Sequence, residues 1–239
     1  MDLGAKVKLY NILKKCNRIV IIKVKLLKGF IVKQKSTTSN DKKVKIDNVV
    51  LEFERGYEIA KNISPAVTIL GSARFKPKNK HYKKARELGF KLGEAGYNVI
   101  TGGGGGIMEA ANRGAYECGK MKSIGFKIIL KNEKHINPYI NVSFDFKYFY
   151  SRKYMLFNFA DAIVVCPGGF GTLDELLEIL MLLQTEKLNF IKIFLLDVKF
   201  WTPIFESFKL SLLSNDVIHE KDLERFTLTN SVDYIIDNL

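Results

Sequence analysis

The chain has 239 residues, 26% charged and 47% apolar, with a formal net charge of +13. That length suits one large domain or two small ones and is ample for a sizeable core. The composition excludes a collagen-like chain, a disulfide-rich miniprotein and wholesale disorder.

The charge is unevenly spread. Residues 1–47 carry thirteen Lys or Arg against three acids, a net +10, while the other 192 residues carry 25 against 22. This pattern reads as a basic extension over 1–47, which need not be ordered, ahead of a globular domain over 48–239. Such an arm can touch RNA, DNA or an anionic surface. Its lysines are not interleaved with aromatics as a stacking platform requires, so a solvated tail is favoured and nucleic acid is not the expected partner. The apolar run Ile19 to Val32 is broken by Lys23, Lys25 and Lys28 and has no small-residue cleavage site. Neither a bilayer span nor a secretory signal is expected there. Three cysteines (Cys16, Cys118, Cys166), widely spaced and without a CxxC pair, suit a reducing, cytoplasmic setting and argue against a structural zinc site.

Ser36–Asp47 is polar and reads as a linker. Val49 to Asn62 has Val50, Phe53, Tyr57 and Ala60 on one helical face. Ala66–Leu70 is a short β-branched run, a buried strand, ending in the tight turn Gly71-Ser72-Ala73-Arg74. His81–Gly96 is an amphipathic helix and Tyr97–Thr101 the next strand. Five glycines, Gly102–Gly106, lead into a helix over Ile107–Cys118. Ser123–Ile129 and Val142–Phe146 read as strands, Tyr148–Phe159 as a helix and Asp161–Cys166 as a buried strand. After Pro167-Gly168-Gly169-Phe170-Gly171-Thr172 comes an apolar helix, Leu173–Leu183. A strand over Phe190–Leu196 and helices over Pro203–Leu213 and Ser231–Leu239 complete the chain. Strands alternating with helices define an α/β fold, a doubly wound parallel sheet with helices on both faces.

In such a sheet the loops after the strands gather at the carboxyl edge, where ligands bind. Glycine permits close backbone approach, and a helix starting directly after it presents free N–H groups and a positive dipole end. Two such loops, each between a buried strand and a helix, point to an anionic ligand. A dinucleotide is not expected. Ile107 occupies the last glycine position of GxGxxG, and Lys120 to Asn132 holds no acid for a ribose. Neither GxxxxGK[ST] nor GxSxG occurs. His81, His135 and His219 show no metal-ligand spacing, so no metal is expected. Thr172-Leu-Asp-Glu175 fits a capping box. It fits equally a carboxylate beside a phosphate loop, placed to bind ribose hydroxyls, orient water or steady a cationic sugar. Arg152-Lys153 lies among Tyr148, Phe149, Tyr150, Tyr154, Met155 and Phe157, and a charged arginine on such a helix wants a carboxylate or phosphate partner.

Pro167 to Glu175 matches PGGxGTxxE, with Arg152-Lys153 upstream, Gly71–Arg74 as GSxR and Gly102–Met108 as GGGxGxM. In these motifs the chain, from about Val49 to Leu239, resembles the LOG family, long mislabelled as lysine decarboxylases. The resemblance implies a phosphoribohydrolase that cleaves a nucleoside 5′-monophosphate, AMP or a cytokinin riboside monophosphate, to free base and ribose 5-phosphate. It implies a dimer or larger homo-oligomer with the site near the subunit interface, and no cofactor. Glu175 would bind the ribose hydroxyls, stabilise the oxocarbenium-like sugar and position water. Arg152 would hold Glu175 or the substrate. The 5′-phosphate would sit on the N–H groups of Gly168, Gly169, Gly171 and Thr172. Gly104, Gly105, Ser72 and Lys153 are further ligand candidates, and Met155 would pack against the base. Phe149 and Tyr150 stand where plant-type members carry a Met-His pair, so the chain looks more like the longer bacterial branch and AMP is the expected substrate. A non-catalytic nucleotide-binding module of the same fold is the alternative. No residue marks a lysine for a pyridoxal phosphate Schiff base.

Overall fold

The computed structural model describes residues 39–130, 136–188 and 191–239. The basic arm over 1–38, His135 and Phe190 lie outside the described residues. Val49–Leu239 form one compact unit.

Seven strands build one sheet: β1 (Ala66–Leu70), β2 (Asn98–Thr101), β3 (Ser123–Ile128), β4 (Val142–Phe146), β5 (Ala162–Val165), β6 (Lys192–Leu196) and β7 (Thr227–Thr229). The order is β4-β3-β2-β1-β5-β6-β7, and every neighbouring pair is parallel. The helices are α1 (Ser39–Ala60), α2 (Lys80–Glu94), α3 (Ile107–Cys118), α4 (Phe149–Asn158), α5 (Phe170–Gln184), α6 (Val198–Ser211), α7 (Glu220–Leu223) and α8 (Val232–Asp237). The chain is doubly wound. It runs outward from β1 to β4, returns to lay β5 beside β1, and runs outward the other way.

Strands buried on both faces need apolar residues at every position, and β1 and β5 are buried throughout. Val67 and Ile69 of β1 face a core made with α2, α3 and α8. Ala66 and Leu70 face a second core with α4, α5 and α6, where Trp201 and Phe205 pack. Thr68, also buried, donates its hydroxyl to the Leu156 carbonyl (2.7 Å) and so loses no hydrogen bond on burial. Local chemistry sets several ends. The Asn79 side chain accepts from the His81 N–H at the start of α2, Ser231 accepts from Tyr234 N–H at α8, and Gly119 closes α3 in the left-handed region.

Four expectations need correction. The stretch read as a linker is helical from Ser39 onward. α5 starts at Phe170 rather than Leu173, and α6 at Val198 rather than Pro203. Strand β7 and the short α7 were not anticipated. Among the described residues no helix is long and apolar enough to cross a membrane.

Candidate active site

The winding direction reverses between β1 and β5, the switch point at which open α/β sheets bind ligands. Three loops meet at this carboxyl edge. Ser72, just beyond β1, donates its N–H to the Pro167 carbonyl beyond β5 (3.1 Å), and its carbonyl accepts from Ile107 N–H at the start of α3 (2.9 Å). The loops are packed backbone on backbone. A Cβ on Gly106, whose φ is +65°, would lie 2.2 Å from the Ser72 carbonyl oxygen. The glycine run is tied down from beneath. Thr101 Oγ1 accepts from Gly103 N–H (2.9 Å) and donates to Asn112 Oδ1 (2.6 Å). Asn137 Nδ2 donates to the Gly104 carbonyl (3.3 Å) and to Asn112 Oδ1 (3.0 Å). Gly105 is buried and Gly104 half-buried. The Ser72 hydroxyl accepts from Arg74 N–H (3.1 Å), a turn within its own loop.

The third loop opens α5. Gly169 is its N-cap and supplies no side-chain hydrogen bond. The first intrahelical bond runs from Leu173 N–H to the Gly169 carbonyl, so the N–H groups of Phe170, Gly171 and Thr172 lack helical acceptors. The space over Gly169 and Gly171 is open to at least 4 Å from a Cβ. Gly168 instead lies under Thr172, whose Oγ1 a Cβ there would meet at 2.1 Å. Because α5 begins three residues early, Thr172 is not its cap. The capping-box reading of Thr172–Glu175 is therefore replaced: Glu175 sits in the second turn and is turned toward α4. Phe170, 92% exposed, stands at the mouth of this loop.

Arg152 and Glu175 form a buried pair, Nη1 to Oε1 at 3.2 Å, with side chains only 8% and 12% exposed. Arg152 also donates from Nε to the Phe126 carbonyl within β3 (2.8 Å). Its Nη2 lies where a Cβ on Gly102 would be, 2.1 Å away. One guanidinium thus touches β3, the glycine run and α5. Burial pushes the Glu175 carboxyl above its ordinary range, opposed by the positive charge of Arg152. Lys153 is engaged elsewhere, with Asp174 (3.1 Å) and with Glu178. Burial pulls its ammonium down, but the two carboxylates outweigh burial and hold it above the usual lysine range. Lys153 thus clips α4 to α5. Met155 is 1% exposed and packs under Gly56 in the core, which leaves it no face for a base.

The site therefore brings together Ser72, Gly104, Gly105, Arg152, Gly168, Gly169, Gly171, Thr172 and Glu175, while Lys153 and Met155 serve the helix packing behind it. Asn112, Asn137 and the Phe170 N–H are not specified by the sequence motifs. The signal for Asn112 is its place on the buried face of α3, since an asparagine there needs buried partners. Among the described residues no group of three His, Cys, Asp or Glu is placed to hold a metal ion. A cavity of about 350 Å³ lined by Pro65, Tyr97, Asp161, Lys192 and Leu239 lies at the opposite, amino edge of the sheet.

Fold and site together define an open, doubly wound α/β protein with its ligand loops at the β1/β5 switch point. Within that class the chain belongs to the LOG family: the family model described as possible lysine decarboxylase matches residues 108–239, which include Arg152, Glu175 and the Pro167 loop. A stretch of 113 residues is 34% identical to the cytokinin riboside 5′-monophosphate phosphoribohydrolase LOG of Oryza sativa subsp. japonica, covering 46% of each chain. The chain thus spans about half the length of that curated relative. In fold it is similar to a molybdenum cofactor binding protein from Rippkaea orientalis (TM-score 0.52, 21% identity, 73% of this chain and 94% of that one). It is likewise similar to the molybdenum cofactor carrier protein of Chlamydomonas reinhardtii (TM-score 0.54, 21% identity, the same coverage).

Proposed function

We propose that this chain hydrolyses the N-glycosidic bond of a purine nucleoside 5′-monophosphate, AMP or a cytokinin riboside monophosphate, to free base and ribose 5-phosphate. The observation that carries the reading is the buried Arg152–Glu175 pair beside an open helix N-terminus. The 5′-phosphate rests on the N–H groups of Gly169 to Thr172, where the dipole of α5 favours negative charge. Gly168 lets the loop fold tightly over Thr172. The backbones of Ser72, Gly104 and Gly105 form the facing wall.

The C1′–N bond breaks with its electron pair passing to the base, which takes up a proton. Water attacks the oxocarbenium-like C1′ and loses its proton, leaving ribose 5-phosphate. Glu175 stabilises the cationic sugar through the ribose hydroxyls and orients the water. Arg152 keeps that carboxylate ionised and aimed. This chemistry draws on no cofactor. The site works in a cytoplasmic homo-oligomer, supported by the exposed apolar side chains Tyr150, Tyr154, Leu177 and Met181 on α4 and α5. Residues 48–239 are the catalytic domain and 1–47 an accessory basic arm.

The test is chromatography of AMP incubated with the full-length protein and with Glu175→Ala. Adenine and ribose 5-phosphate from the wild type, reduced about 10²–10⁴-fold in the variant, are expected. Saturable AMP binding without adenine release would leave a nucleotide-binding module instead.

A further inference from the structure

We infer that Glu52, on α1, is a positioning residue for the Arg152–Glu175 pair, a role that rests on the hydrolase reading above. At the start of α4, which carries Arg152, the N-cap residue Tyr148 makes no side-chain capping bond. Glu52 braces this end of the helix from 95 residues away. Its Oε1 accepts from Lys147 N–H (2.7 Å) and its Oε2 from the Ser151 hydroxyl (2.6 Å). A carboxylate at this end of a helix is stabilised by the dipole as well as by the bonds. Ser151 is fully buried and adjoins Arg152.

The same face of α1 grips α4 twice more. The Phe53 and Tyr154 rings meet edge to face at 5.2 Å. Gly56 lies so close to Met155 that a Cβ would come within 3.0 Å of its Cε. Glu52, Phe53 and Gly56 thus hold α4 from Lys147 to Met155, the segment that aims the guanidinium at Glu175 and at the Phe126 carbonyl. Glu52 hydrogen-bonds Lys147 and Ser151 and lies outside the stretch the family model matches. Its effect reaches the chemistry only through the orientation of α4.

The experiment compares full-length wild type, Glu52→Ala and Glu52→Gln by steady-state hydrolysis of AMP and by amide hydrogen exchange. In Glu52→Ala, kcat falls about tenfold with KM for AMP within about twofold, because aim is lost and phosphate binding is kept. Amides of 149–153 exchange faster while those of 170–175 do not. Glu52→Gln restores most of kcat, since its amide oxygen still accepts from Lys147 and Ser151 can donate instead to the Tyr148 carbonyl, 3.0 Å away. Wild-type kcat in Glu52→Ala, or a loss confined to KM, overturns the inference. So does a Glu52→Gln protein that is folded yet no better than Glu52→Ala. Should the wild type release no base, the hydrolase reading falls and the inference with it, whereas an active wild type with unchanged exchange at 149–153 overturns the inference alone.

Discussion

At the scale of single residues, the site depends on a missing side chain as much as on those present. Gly102 leaves the volume that the Arg152 guanidinium fills. Gly102→Ala should push Arg152 off Glu175 and lower kcat/KM by about 10²-fold, the cost typical of a misplacement near 1 Å; a crystal structure of the variant would show the displaced guanidinium. Burial raises the Glu175 carboxyl, and the mechanism needs its anion. The sign follows: log kcat/KM falls with unit slope as pH drops through the raised value, so the acid limb lies above the ordinary carboxylate range. A pH–rate profile with its acid limb at the ordinary range would contradict this. Burial also pushes the Cys166 thiol up to about 12, so at pH 8 it stays protonated and hidden. Iodoacetamide should label the partly exposed Cys118 and spare Cys166 in the native protein, as peptide mass mapping would show.

Among the elements, α3 does more than cover the sheet. Asn112, fully buried, joins Thr101 of β2, Ser123 of β3 and Asn137. Replacing it by Ala strands several buried polar groups at about 1–3 kcal/mol each. A loss near 3 kcal/mol lowers Tm by about 6–12 °C at this chain length, and calorimetry of Asn112→Ala measures it. The elements that could be read correctly from sequence are those with sharp local punctuation. β1 and α3 have the expected bounds, because Pro65, the Gly102 run and Gly119 mark where regular structure stops and starts. Elsewhere local rules misled. Pro203 reads as a helix start, yet it sits inside α6, whose true N-cap is the Asp197 carboxylate accepting from Phe200 N–H. Gly169 and Gly171 read as loop, yet Gly171 is helical. With that shift the Thr172 cap disappears and the Glu175–Arg152 pair takes its place. Nothing local to Glu52 or Lys147 announces their bond, because it joins segments that only the finished fold brings together.

For the whole molecule, the doubly wound sheet and the carboxyl-edge site follow from strand–helix alternation, whereas the strand order does not. The polar/apolar rhythm of β7 is three residues long, too short to register. The exposed apolar residues on α4 and α5 are the surface proposed for the oligomer contact. Leu177→Glu with Met181→Glu should convert the assembly to monomers by sedimentation velocity and lower activity with it, since a charged pair one turn apart cannot be buried unpaired; an unchanged sedimentation coefficient would put the contact elsewhere.

The β1–β5 seam has a consequence for biosynthesis. Val67 pairs with Ala162, and Leu70 with Val165. A chain growing from its amino end exposes β1 to β4 first, with one flank of β1 unpaired. That flank of β1 waits through 95 residues of translation, from Val67 to Ala162, before it closes. Gly102 and Ser72 are made long before Arg152, and Arg152 before Glu175. No nascent chain shorter than α5 contains both halves of the ion pair. The unguarded β1 edge is then open to chaperone capture or mispairing.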